Sequence, residues 1–195
     1  PVLALGGRTV GVDRWGRIDL TGLAAVLDEL GPDVSVVSVM LANNETGVLN
    51  DLDAVAEVVR SHGPEVPRTP LHTDAVQAAA WLDLSVAAAA ADLVSVSGHK
   101  LGGPKGIGAL IVRQPTQIRP LVLGGGQERG RRSGTSNVAG IVGLAAALDA
   151  TAAERAATNS RIAALRDRLG DGLAERIPGS VVTVPAGAGV ATLPG

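Results

Sequence analysis

Leu93-Val94-Ser95-Val96-Ser97-Gly98-His99-Lys100 is the stretch whose reading decides the fold. Its first five residues are short, uncharged and largely β-branched or apolar, which fits a buried strand, and Gly98 marks the turn at its exit. Two further runs of the same kind lie upstream. Val34 to Met40 is Val-rich, broken only by Ser35 and Ser38, and stops at the turn signal Asn43-Asn44; Leu71 to Asp74 is a second short strand. Between them, Asp51 or Asp53 caps a helix through about Ser61, with Val55, Val58 and Val59 on one face and Gly63-Pro64 closing it. Ala87 to Ala91 reads as a brief helical connection into Leu93, and Ile107 to Val112 as a further strand after Gly102-Gly103-Pro104. Strands alternating with helices are βα units, so the expected architecture is α/β around a largely parallel sheet.

Downstream, an Ala/Leu/Arg-rich stretch runs from Ser136 to about Arg176, interrupted by Gly170 and Gly172, and Pro178-Gly179 closes it before a strand at Val181 to Val184. A helix of this length bridges lobes, which places a boundary between a larger lobe and a second one near Asn159 to Arg168. No internal repeat is visible. The alanine runs at 78–80, 87–91 and 145–147 need no explanation beyond helix propensity.

Composition narrows the function. The chain has 195 residues and a formal net charge of −2, so nothing electrostatic points to nucleic acid or an anionic membrane as partner. Hydrophobic residues reach 46% without any Phe or Tyr and with only two Trp, so the core must be built from small aliphatic side chains. The absence of cysteine excludes disulfides, zinc-thiolate sites and a thiol nucleophile from these residues. No apolar run approaches the ~20 residues that cross a bilayer, and no signal-peptide pattern opens the chain, so the expected location is the cytoplasm. Both ends, Pro1-Val2-Leu3 and Ala191-Thr192-Leu193-Pro194-Gly195, read as cut rather than finished.

In open α/β sheets, ligands bind outside the carboxyl ends of the strands. Those ends carry Asn43-Asn44-Glu45, Asp74 with Gln77, and Ser97-Gly98-His99-Lys100: an amide, a carboxylate and an amine at successive exits. Lys100 has two readings. A lysine desolvated at a strand exit offers a free amine for imine formation; a surface lysine simply lies over its turn. Asp74 is either a carboxylate placed to hold a pyridine nitrogen protonated or the cap of the turn Ala75-Val76-Gln77. Ser97, Gly98 and His99 present donors suited to a phosphate, or form a bland loop. The glycine-rich basic segment Gly124 to Thr135 either meets an anion through Thr135 or is a mobile loop.

Other site chemistries fail on spacing. Gly103-Pro104-Lys105-Gly106 lacks the hydroxyl residue after Gly-Lys that a phosphate-binding P-loop requires, and Gly124 to Gly130 lacks the dinucleotide fingerprint. His62, His72 and His99 are not paired at metal-ligand spacing, so no metal site is expected. Arg129, Arg131 and Arg132 form too short a cluster, without aromatics, to signal RNA or DNA.

Taken in order, Ala42-Asn43-Asn44-Glu45-Thr46-Gly47, His72-Thr73-Asp74-Ala75-Val76-Gln77, Ser97-Gly98-His99-Lys100, Gly103-Pro104-Lys105-Gly106-Ile107-Gly108 and Gly124-Gly125-Gly126-Gln127-Glu128-Arg129-Gly130 through Arg132-Ser133-Gly134-Thr135 resemble the NifS-type cysteine desulfurases of the class V aminotransferase family. Lys105 within Gly-Pro-Lys-Gly and the Arg-Ser-Gly-Thr run favour this branch over the selenocysteine-lyase-like one. The resemblance covers almost the whole chain. It implies the type I fold of transferases dependent on pyridoxal 5'-phosphate (PLP): residues 1–160 as an N-terminally truncated large domain with a mostly parallel sheet, and 161–195 as the linking helix and start of the small α+β domain.

The same resemblance implies roles. Lys100 is the Schiff-base lysine and proton carrier, Asp74 pairs with the pyridinium nitrogen, and Asn44 and Gln77 approach the ring's phenolic oxygen. Ser97 and His99 hold the phosphate, and Thr135 reaches the phosphate in the other subunit of a homodimer. The substrate is L-cysteine, and the sulfur goes through an enzyme persulfide to an acceptor or iron–sulfur scaffold protein. The family's phosphate-binding Gly/Ala-Thr turn and ring-stacking histidine lie before Pro1, and its persulfide cysteine and substrate arginine lie beyond Gly195. The expectation is therefore an internal fragment, inactive as a desulfurase by itself. Another class V aminotransferase or lyase, or a noncatalytic remnant, are the competing readings.

Overall fold

Parallel pairing organises the sheet around the strand Leu71–Asp74. The computed structural model describes residues 3–62, 68–181 and 184. Among these, β1 (Val37–Met40), β2 (Leu71–Asp74), β3 (Leu93–Ser97) and β4 (Gly108–Val112) form one sheet in the order β1-β2-β3-β4. The first three run parallel, with Met40 opposite Asp74 and Asp74 opposite Ser95. β4 returns antiparallel, Ser97 opposite Gly108. The connection from β3 to β4 is too short for a crossover, so the chain turns back on itself.

Among the described residues, four α-helices accompany the strands: α1 (Leu20–Leu30), α2 (Leu52–His62), the single turn α3 (Leu84–Ala87) and α4 (Val138–Arg176). The pleat separates two faces of the sheet. Val37, Val39, Leu71, Thr73, Val94 and Val96 are buried and, Thr73 apart, share one core with Leu23 and Leu27 of α1 and Val55, Ala56 and Val59 of α2. Thr73 joins that face because its hydroxyl donates to the Val39 carbonyl at 2.8 Å. Each fully buried Leu or Val contributes about 2 kcal/mol. The opposite face carries Ser38, Met40, His72, Asp74, Ser95 and Ser97, all half-buried or exposed. The small aliphatic core expected from composition is what the structure contains, with Ala75, Ala78, Ala88 and Ala91 fully or almost fully buried where elements approach closely.

Several boundaries differ from the sequence expectations. β1 begins at Val37 rather than Val34, because Gly31–Asp33 forms a 3-10 turn that ends on Val34. α3 spans Leu84–Ala87 instead of 87–91: Asp83 caps it by accepting from the Ser85 N–H at 2.9 Å, and Ala88 already leaves helical geometry. β4 starts at Gly108, since the Ile107 carbonyl accepts from Gly98 in the preceding turn. α4 is one unbroken helix of 39 residues capped by Asn137, so Gly170 and Gly172 do not interrupt it. A glycine costs a helix interior only about 1 kcal/mol against alanine, which the surrounding helix formers absorb. α1 has no counterpart in the sequence expectations. The helix at α2 agrees with them, with Asp51 as the cap, accepting from Asp53 and Ala54 N–H at 3.0 and 3.1 Å. Gly63-Pro64 and residues 182–183 of the expected strand Val181–Val184 lie outside the described residues. No described helix is long and apolar enough to cross a membrane.

Candidate functional site

The polar face of the sheet converges on the carboxyl ends of β2 and β3. Asp74 closes β2, half-buried, and its Oδ1 accepts the Val76 N–H at 2.9 Å. The capping role therefore exists, and the carboxylate still stands at the strand exit. One pleat below, the His72 ring bridges two neighbours: Nδ1 lies 2.8 Å from Ser38 Oγ on β1 and Nε2 lies 2.9 Å from Ser95 Oγ on β3. Burial pushes the His72 pKa below its ordinary value, and the Asp74 carboxylate partly offsets that.

At the exit of β3, Ser97 Oγ lies 2.8 Å from His99 Nδ1, on the 3-10 turn Gly98–Leu101. Gly102 ends this turn at φ 73, a left-handed conformation natural to glycine. Gly98 is buried so tightly that a Cβ would meet Ile107 Cγ2 at 2.9 Å and the Pro104 carbonyl at 3.0 Å. Sequence and packing together fix where Ser97, His99 and Lys100 emerge. Lys100 and His99 are both exposed, so the burial expected of a lysine at a strand exit is not observed.

Asn44 and Gln77 come together in a cleft of about 280 Å³, shared with Thr46, Trp81, Asn159 and Ile162. Asn43 spends its Oδ1 on the turn, accepting from Glu45 and Thr46 N–H at 2.8 and 2.9 Å, while Asn44 beside it is exposed. Asp74, Ser97, Lys100 and Thr135 do not line this cleft. Thr135 is exposed on the segment that leads into α4. That segment is tied internally: Ser133 N–H donates to the Val122 carbonyl at 3.0 Å and Gly134 N–H to Gln127 Oε1 at 3.1 Å. α4 then crosses behind the β3 exit turn, with Gly143 so close to Pro104 that a Cβ would lie 2.5 Å from its Cγ.

Sequence reasoning passes over three residues of this region. His72 enters the sequence expectations only as a rejected metal ligand, although its spacing of two from Asp74 puts both on one face of β2. Trp81 and Asn159 carry no local signal, since they meet only when α4 folds back: Asn159 Nδ2 donates to the Trp81 carbonyl at 2.9 Å.

Comparison with known proteins agrees with this architecture. The chain is 45% identical over 174 residues to a cysteine desulfurase of Gluconacetobacter diazotrophicus, covering 89% of this chain and 42% of that protein. It is 42% identical over 172 residues to the cysteine desulfurase NifS of Azotobacter vinelandii, covering 88% and 41%. Among solved structures, a NifS-like protein superposes with a TM-score of 0.84 at 36% identity, over 97% of this chain and 50% of that one. A NifS-like protein from Rickettsia africae gives 0.81 at 29% identity, over 93% and 49%. The chain thus spans about half the length of the proteins it matches, or less. The family model for aminotransferase class V matches residues 8–191, nearly the whole sequence. With its mostly parallel α/β sheet and polar strand exits, the chain belongs to the class V aminotransferase family and carries part of its type I fold.

Proposed function

We propose that the chain forms the PLP-binding part of a cysteine desulfurase that takes sulfur from L-cysteine and leaves L-alanine. The observation that carries this reading is the placement of Asp74 and Lys100 at the exits of adjacent parallel strands, with the Ser97–His99 pair at the second of these exits. The donor set fits PLP: a carboxylate for the pyridine nitrogen, a hydroxyl and imidazole for the phosphate, amides for the phenolic oxygen and an amine for the aldehyde carbon. Bound there, PLP supplies an electron sink for the substrate's α-carbon.

In this reading Asp74 keeps the pyridine nitrogen protonated, and Asn44 and Gln77 orient the ring from the cleft they share. Ser97 and His99 hold the phosphate. Lys100 would hold the group at its aldehyde carbon and would supply the amine that carries protons at the substrate's α-carbon. Fixing the ring on several sides leaves the amine as the mobile partner. The 195 residues contain no cysteine, so the thiol that first receives the sulfur is supplied from outside them. Thr135 serves a second copy's phosphate in a homodimer, and an iron–sulfur scaffold or another acceptor protein takes the sulfur onward. Residues 1–160 act as the large-domain part and 161–195 begin a second lobe, in the cytoplasm. The names of the relatives, their identity to this chain and the order of its motifs support the reading.

The test is PLP titration of the purified chain. Wild type is expected to develop an absorbance band near ~420 nm, and Lys100→Ala to lose it while still folding. The same chain should release neither sulfide nor alanine from L-cysteine until a thiol-bearing remainder is restored. No band in wild type, or an unchanged band in Lys100→Ala, would refute the proposal.

A further inference from the structure

We propose that His72 is a positioning residue for Asp74: clamped between Ser38 and Ser95, it ties β1, β2 and β3 together one pleat below the carboxylate and fixes where that carboxylate stands. The inference rests on the proposed function, in which Asp74 meets the pyridine nitrogen of PLP.

The backbone around Asp74 is already held on both sides. Its carbonyl accepts the Leu41 N–H at 2.9 Å, and the Ala75 N–H donates to the Ser95 carbonyl at 3.0 Å. What those bonds leave free is the twist of β2 between its neighbours, and this is what the imidazole constrains. His72 reaches Ser38 at 2.8 Å and Ser95 at 2.9 Å, so one side chain spans three strands. Ser95 is also the register partner of Asp74, which makes it common to the clamp and the carboxylate's own backbone pairing.

The chemistry of the clamp suits a site that must keep its negative charge for a cofactor. A neutral imidazole has one donor and one acceptor, and a serine hydroxyl serves either, so both bonds form in either tautomer. Of the groups facing the ring, Ser38 on β1 and Ser95 on β3 are uncharged, and Asp74 on β2 is the charged neighbour that acts on it. A protonated His72 would be a competing cation beside Asp74 and would weaken its hold on a pyridinium. Burial opposes that protonation. The bridge therefore stays neutral at working pH and leaves the carboxylate to the ligand.

Two measurements test this. In the protein without PLP, the ¹⁵N imidazole titration of His72 should lie below that of free histidine and fall further in Asp74→Asn, where the favourable field of the carboxylate is gone; an unchanged His72 titration in that variant would overturn the coupling. With PLP, His72→Leu should weaken binding about tenfold by removing both hydrogen bonds. His72→Gln, which keeps a donor, an acceptor and no charge, should restore binding to within about threefold of wild type. It should also lack the extra loss of affinity expected of wild type as pH falls below the ordinary histidine range, where the burial-lowered His72 takes up its proton. If His72→Leu does not fold, the pH comparison of His72→Gln with wild type carries the decision. PLP affinity and band position in His72→Leu equal to wild type would refute the positioning role. A wild-type protein that binds no PLP would instead refute the cofactor reading, and the titration without PLP then decides the His72–Asp74 coupling by itself.

Discussion

Asn159 Nδ2 on α4 donates to the backbone carbonyl of Trp81 at 2.9 Å, joining residues 78 positions apart. Trp81 ends the turn that follows Asp74 and contains Gln77, so the bond fastens the long helix to the segment that carries two of the proposed cofactor ligands. Any movement transmitted along α4 is thereby coupled to the cleft holding Asn44 and Gln77.

Asn159→Leu should break that coupling at modest cost. Losing one hydrogen bond removes about 1 kcal/mol, which in a chain of this size lowers the melting temperature by about 2–4 °C. Amide exchange in residues 78–82 should accelerate more than exchange in β3. Equal protection of the two segments in wild type and variant would show that the bond tethers nothing.

Gly98→Ala is expected to be the costlier change, at about 1–3 kcal/mol. The new methyl has no room: Ile107 Cγ2 and the Pro104 carbonyl already stand at 2.9 and 3.0 Å from where it would sit. Relief requires the turn to open, which moves His99 and Lys100 with it. Denaturant unfolding reads the loss, and weakened PLP binding reads the displacement. A variant as stable as wild type would mean that the turn yields without cost.

These two sites also show what a sequence can reveal here. The β3 exit is legible because its signals are local: an uncharged strand, then Gly98, His99 and Lys100 within one turn. Asp74 is legible as well, and its capping and ligand readings are compatible. α1 escapes a sequence reading although Asp19 caps it and Leu20, Leu23, Leu27 and Leu30 follow helical spacing. Thr21 and Gly22 weaken its intrinsic propensity, and burial of Leu23 and Leu27 against α2 and the sheet supplies what propensity does not. The Trp81–Asn159 bond and the exposure of Lys100 depend on the path of α4 and on what stands over the strand ends, neither of which leaves a local trace.

The lowered pKa of His72 predicts a pH-dependent stability. The unfolded chain takes up its proton near pH 6.5, while the folded chain resists doing so because the ring is partly buried. Between the folded value and about 6.5 the unfolded state binds more protons, so stability rises with pH across that window. It is fully present above pH 6.5 and is lost as pH falls toward the folded value. Urea unfolding of wild type at pH 7.5 and 5.5 should show this loss, and His72→Gln should flatten it. The carboxylates of Asp13, held down first by the Arg17 N–H, and Asp83, held down first by the Ser85 hydroxyl, act in a separate window below about pH 3.8 and do not confuse the comparison.

The isolated 195-residue chain should also self-associate beyond a dimer. Among the described residues β4 is a sheet edge, and Leu110 and Ile111 on it are exposed. Leu121 and Leu123 lie just downstream at 96% and 79% exposure. An open apolar edge accepts another copy without closing, so association continues with concentration, whereas a homodimer built through the Thr135 segment stops at two. Light scattering on the eluting protein separates these outcomes. Leu110→Lys places a charge on the edge and should remove species larger than two while leaving the proposed Thr135-mediated dimer intact. A wild-type sample that stays monodisperse at every concentration, with a sharp and reversible thermal transition, would show that the exposed edge is not sticky and that the polar groups around it suffice to keep copies apart.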